Sequence, residues 1–145
     1  MKKTVAINLK IPDNAAYTAL VALRKLGVAV ERVERSEIWF FDDDAELGPL
    51  TARVESDETI FNPNKHRLTV LDDSAPRPGE VWIEPLAVAR RGPAAIAWRL
   101  SDARGVPVSL RELTAAIERL LCNPAIERAI VHDREIDRDI SMASE

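Results

Sequence analysis

Two histidines, one cysteine and a short acidic run are the side chains of this 145-residue chain best suited to chemistry. Histidine titrates near neutrality and is the commonest general base. Asp133 follows His132 directly, but a general base also needs a positioned nucleophile and an oxyanion pocket, and no serine or cysteine motif supplies either. His66 and His132 are therefore read as surface residues. Cys122 follows Leu121 at the end of an apolar stripe, with no basic neighbour placed to make it a thiolate, so it is read as a structural thiol. Alone it cannot form an internal disulfide, and two histidines do not complete a zinc site around it. Asp42, Asp43 and Asp44 could offer oxygen ligands to magnesium. Successive strand residues point to opposite faces, so at most two of the three converge, and a solvated strand end fits better. No metal is assigned on that ground, and no cofactor, because the five glycines form no phosphate-binding loop. Trp39, Trp82 and Trp98 could stack a ligand, but tryptophans in apolar runs more often fill a core or an interface. Trp39, Phe41 and Trp82 are the candidate interface residues.

These residues must be positioned by a chain with ordinary globular composition, 46% hydrophobic and 30% charged, too apolar to stay disordered. Its net charge is −4, with acids and bases interleaved, so it carries no basic footprint for nucleic acid or an anionic membrane. MKKTVAINLK lacks the apolar run of a secretory signal, and no stretch approaches the roughly 20 apolar residues of a membrane span. A cytoplasmic protein with no nucleic-acid or membrane partner is expected.

Alternation of Val5, Ile7, Leu9 and Ile11 predicts a first strand that ends at Pro12. Asp13 or Asn14 can cap a helix with Ala16, Ala19, Leu20, Leu23 and Leu26 on one stripe, and Gly27 can close it. Val28–Val33 and Ile38–Phe41 are predicted as two strands meeting in a turn near Ser36. Between 45 and 107 lie seven of the nine prolines and several short strand-like runs: Leu50–Val54, Thr59–Phe61, Leu68–Leu71 and Val81–Ile83. Ala94–Arg104 is read as a short helix. Ser109 and Glu112 form a capping box for a last helix whose stripe is Leu113, Ile117, Leu120 and Leu121. Asn123-Pro124 stops that helix, Asn123 tolerating a left-handed stop, and Ile126–Val131 forms a final strand. Phe40 and Leu120 are expected in the core. Residues 134–145 are read as a flexible tail.

Set aside the Pro-rich middle and the order becomes strand, helix, strand, strand, helix, strand. The expected class is α+β: a ferredoxin-like βαββαβ antiparallel sheet with helices on one face and a long β-rich insertion. One domain is expected over residues 1–133, its core being 1–44 and 109–133 and its insertion 45–108. The face away from the helices would need covering, by a second sheet from the insertion or from another subunit.

The run LLCNPAIERAIV, Leu120 to Val131, resembles the helix-to-strand joint of the PurS family, the small subunit of phosphoribosylformylglycinamidine synthase. The first strand, the helix ending Lys25-Leu-Gly-Val and the stretch Val30–Asp42 agree in layout, so the resemblance covers residues 1–44 and 109–133. Departures are Ser36-Glu37 where the family has a basic Gly-Lys turn, a shortened Pro12-Asp13-Asn14, and residues 45–108, which have no counterpart. The resemblance implies a homo-oligomeric accessory subunit without catalytic residues, bridging the synthetase and glutaminase subunits of a glutamine-dependent ligase in purine biosynthesis. The alternative is a small-molecule-binding regulatory domain of ferredoxin-like fold; an enzyme drawing its acids from the insertion comes third.

Overall fold

The computed structural model describes residues 2–42, 49–87 and 92–132. Asp43, Asp44 and the tail expected at 134–145 lie outside them. The chain is α+β: the described residues form one six-stranded antiparallel sheet with three helices. In chain order the elements are β1 (Lys2–Leu9), α1 (Asn14–Lys25), β2 (Arg32–Asp42), α2 (Leu50–Glu55), β3 (His66–Leu71), β4 (Glu80–Pro85), β5 (Ala95–Ser101), α3 (Leu110–Ala116) and β6 (Glu127–Val131). A π-turn, Ile117–Leu121, continues α3.

Across the sheet the strands run β3-β1-β2-β5-β4-β6. Of the two split strand-helix-strand units expected, the second would join Ile38–Phe41 to the final strand through the last helix; instead it is β5 that lies parallel to β6 across β4, with α3 between them in sequence. In the first, β2 returns beside β1 and antiparallel to it, so no strand is interposed. The stretch 45–108 supplies α2, β3, β4 and β5, and two of those strands separate β2 from β6. It builds the sheet rather than decorating it.

The hairpin expected near Ser36 is instead one 11-residue strand. Its polar residues suit a strand interior because β5 answers them: Glu34 lies opposite Arg99, and the Arg35 guanidinium sits 5.7 Å from the centre of the Trp98 ring. No Gly or Asn offers the alternative turn. The start of β2 pairs with β5 and its end with β1, so β2 joins the two halves of the sheet. Three other expectations change. Ala94–Arg104 is mostly β5, its bunched apolar residues suiting a strand buried on both faces. Leu50–Val54 is helical, and Thr59–Phe61 belongs to a turn.

Helices cover one face. Leu23, Leu113, Ala116, Ile117 and Leu121 pack with Val28 and Val30 against Val81, Ile83, Leu100 and Val131, while Leu50, Val54 and Phe61 pack on Val5 and Ile7. The other face carries Ile38, Trp82, Ala95 and Ala97, all buried. A crossing segment lies over it rather than a second sheet: residues 72–79 run from β3 to β4, Ser74 hydrogen-bonding Thr4 and the Pro76 carbonyl meeting His132 Nδ1 at 3.0 Å. That segment enters β4 through Gly79, where φ is +76° and a Cβ would stand 2.8 Å from the Leu100 carbonyl oxygen, so only glycine fits. Among the described residues no helix is long and apolar enough to cross a membrane.

Candidate functional site

α1 begins where Asp13 Oδ1 accepts from Ala16 N at 3.1 Å, as its sequence asks. Ala16, Ala19 and Leu23 point into the core. The flank beside them is small: Asn14, Ala15, Thr18 and Ala22 recur along one side of the helix. Small side chains cannot fill the space between α1 and its neighbour.

That neighbour is the π-turn. Cys122 N donates to Ile117 O at 3.2 Å, five residues back, where an α-helix would bond four back. The extra residue in the turn keeps Leu113, Ala116, Ile117 and Leu121 buried but carries Leu120 outward, 41% exposed, against its expected place in the core. The chain then leaves extended at Cys122, and among the described residues none but glycine adopts positive φ, so Asn123 stops the helix differently. Its side-chain oxygen accepts from Ala125 N at 3.1 Å, and its amide donates to Glu127 Oε1 at 2.9 Å.

At the far end of α1 the two helices are clamped. Arg119 Nη1 donates to the Leu26 carbonyl at 2.8 Å, and Ala29 N donates to Glu112 Oε2 at 2.8 Å. Gly27, at φ +87°, makes the turn out of α1 beneath Arg119. Away from the clamp the helices leave a groove of about 460 Å³, floored by Trp98 and walled by the small flank of α1 and by Leu120 and Leu121. An apolar hollow of a few hundred Å³ with a few polar groups at its rim, here Asn14 and Thr18, has the character of a binding site. Tyr17 and Leu120 are exposed on the same layer.

Arg35 leans on Trp98 and also lines a smaller hollow of about 80 Å³ with Asp13, Glu37 and His66. Compared with protein-family models, with curated proteins and with solved structures, the chain matches none. The reading of the groove therefore rests on its own geometry.

Of the expected interface residues, Trp39 and Phe41 are brought together on the helix-covered face. Their rings stack at 6.4 Å with an 18° interplanar angle, and both pack with Val5, Ile7 and α2. Trp82 is on the opposite face, 2% exposed, its Nε1 donating to Glu80 Oε1 at 3.2 Å. It has little surface to offer a partner. Phe40, expected in the core, is 40% exposed and lines a wider hollow of about 710 Å³ with Trp39, Leu86 and Gly92.

His66 Nδ1 accepts from Asn62 N at 2.9 Å and steadies a turn. Burial and the nearby Glu127 carboxylate both push the Cys122 thiol above its usual range, which makes it a poor nucleophile. Among the described residues no three His, Cys, Asp or Glu side chains are grouped to hold a metal ion. The small flank of α1 was the sequence signal for the groove. The π-turn that forms the other wall left none beyond the Asn-Pro stop.

Proposed function

We propose that this chain is a non-catalytic docking module whose groove over Trp98 receives an apolar side chain of a partner protein. The observation that carries the reading is the groove itself: open, apolar, and bordered by a leucine that the π-turn displaces to the surface. A large apolar anchor seated in a pocket is how protein interfaces concentrate their binding energy. The resemblance of LLCNPAIERAIV to the PurS joint gives the partner class, since that run begins with the two groove leucines. The partners proposed are the synthetase and glutaminase subunits of a glutamine-dependent ligase in purine biosynthesis, met in the cytoplasm. On this reading the β5-α3-β6 unit is the ferredoxin-like part of the scaffold.

The groove volume also suits a second reading, in which a small regulatory molecule is held against Trp98. One experiment separates the two. Tagged chain is used to capture a candidate synthetase and glutaminase, and the isolated chain is melted with and without amino acids and nucleotides. Docking predicts capture that Leu120→Glu abolishes while the melting temperature stays put. A ligand that raises the melting temperature, with no capture, would favour the second reading.

A further inference from the structure

β3 is an edge strand, and among the described residues no strand pairs with its outer side. Its sequence neighbourhood is polarised by charge: Lys65, His66 and Arg67 at the start, Leu68 to Leu71 in the middle, Asp72 and Asp73 at the end. Lys65, Arg67, Thr69, Val70, Asp72 and Asp73 are exposed. Lys10 N donates to Lys65 O at 2.7 Å, which fixes the alternation: the Lys65 carbonyl and the backbone groups of Arg67, Thr69 and Leu71 turn to β1, and Leu68 and Val70 turn theirs outward. The His66 amide is taken by Asn62 O, and its carbonyl points outward with them.

We infer that β3 pairs antiparallel with β3 of a second copy of this chain, about a two-fold axis through Thr69, so that two sheets become one. This register sets Leu68 opposite the copy's Val70 and Val70 opposite its Leu68, which is the pairing the outward amides and carbonyls require. It also brings the acidic end of each strand, Asp72 and Asp73 just beyond Leu71, toward the basic start of the other, Lys65 and His66, twice by symmetry. A parallel pairing would set like charges side by side, and a foreign strand would have no reason to match this polarity. Leu68 and Val70 belong to the face that α2 covers, so the apolar row of one copy runs on into the other. Bare edges are a standing aggregation hazard, and closed pairing of this kind removes one. The inference is independent of the groove, which lies among α1, the π-turn and β5.

Light scattering on the full chain at micromolar concentration tests it. The expected mass is twice that of the chain, and amide exchange at Leu68 and Val70 should slow as concentration rises. Val70→Pro removes an outward amide without touching the β1 ladder and should give a folded monomer. Lys65→Asp should weaken the dimer about tenfold, and adding Asp73→Lys in the same chain should restore it. A wild-type monomer across the range would overturn the inference. So would a folded Val70→Pro dimer, or a Lys65→Asp variant no weaker than the double swap; the charge swap decides the matter if the proline variant does not fold.

Discussion

Beneath α1 and α3 the sheet is sealed by helices tied to each other and to the links around them, whereas the half beneath α2 lies under six helical residues with no side-chain cap. Both halves share one face of one sheet, and β2 runs through both. The first has Asp13 and Ser109 as caps, Gly27 as a stop, and Arg119 and Glu112 as clamps. The second has Pro49 at the helix start and Arg53 reaching the Asp42 carbonyl at 2.9 Å. A helix this short gains little from its own hydrogen bonds and is held by Leu50 and Val54 pressed on Val5 and Ile7. The contrast teaches where the molecule is rigid enough to present a groove, and where a free sheet edge sits on a weaker support.

The largest expected effect tests the stronger half. Leu100 is fully buried between α1, α3 and the central strands, and Leu100→Ala should cost about 3 kcal/mol of unfolding free energy through lost burial and the cavity left behind. Val54→Ala, at a residue 2% exposed, should cost about 2 kcal/mol or less, because a short helix can settle onto the smaller side chain. Amide exchange sharpens the comparison: α2 should open locally, well below the global free energy, while α3 exchanges only on global unfolding. Equal protection in α2 and α3 would erase the distinction.

The next effect tests the clamps. The capping box expected at Ser109 and Glu112 is half present: Ser109 Oγ accepts from Glu112 N at 3.3 Å, but the Glu112 carboxylate reaches Ala29 N in the link after α1. Glu112→Ala therefore removes one of the two ties between the helices, leaving that of Arg119 to Leu26, as well as an acid from a helix start, and should lower stability by about 1 kcal/mol in urea melts. Because the clamp sets the spacing of the groove walls, the same variant should weaken partner capture. If the melt shifts and capture does not, the groove is not the docking surface.

Legibility followed the same division. α1 and α3 announce themselves through caps and stripes, and β1, β3, β4 and β6 through apolar runs that end in turn residues. α2 does not, since Leu-Thr-Ala-Arg-Val alternates as a strand would, and only its place over Val5 and Ile7 makes it helical. Ser36 misled for a related reason: a charged run in mid-strand reads as a turn until Arg99 and Trp98 are known to lie across from it. The strand order itself cannot be read from local pattern, because the pairing of β1 with β2 and of β5 with β4 depends on contacts distant in sequence. The groove was not legible: Ala16 and Ala19 stand out as a core stripe and not as the edge of a groove, and the displacement of Leu120 by a π-turn leaves no mark, since periodicity assumes the ordinary helical repeat.

The smallest effect strengthens the weaker half. Pro49 occupies the cap position of α2 in an extended conformation, φ −59° and ψ 133°, and makes no side-chain bond to the helix. That backbone geometry is the one an aspartate cap uses, so Pro49→Asp can place a carboxylate against the free amides of the first turn without moving the chain. The gain is a cap and a favourable dipole contact; the loss is the restraint that proline puts on the unfolded chain. The net should be a stabilisation of about 0.5 kcal/mol, seen less in the global melt than in slower exchange of the α2 amides. An unchanged exchange rate would mean that α2 is limited by its packing on Val5 and Ile7 and not by its ends, and the difference between the two halves would then lie in buried area alone.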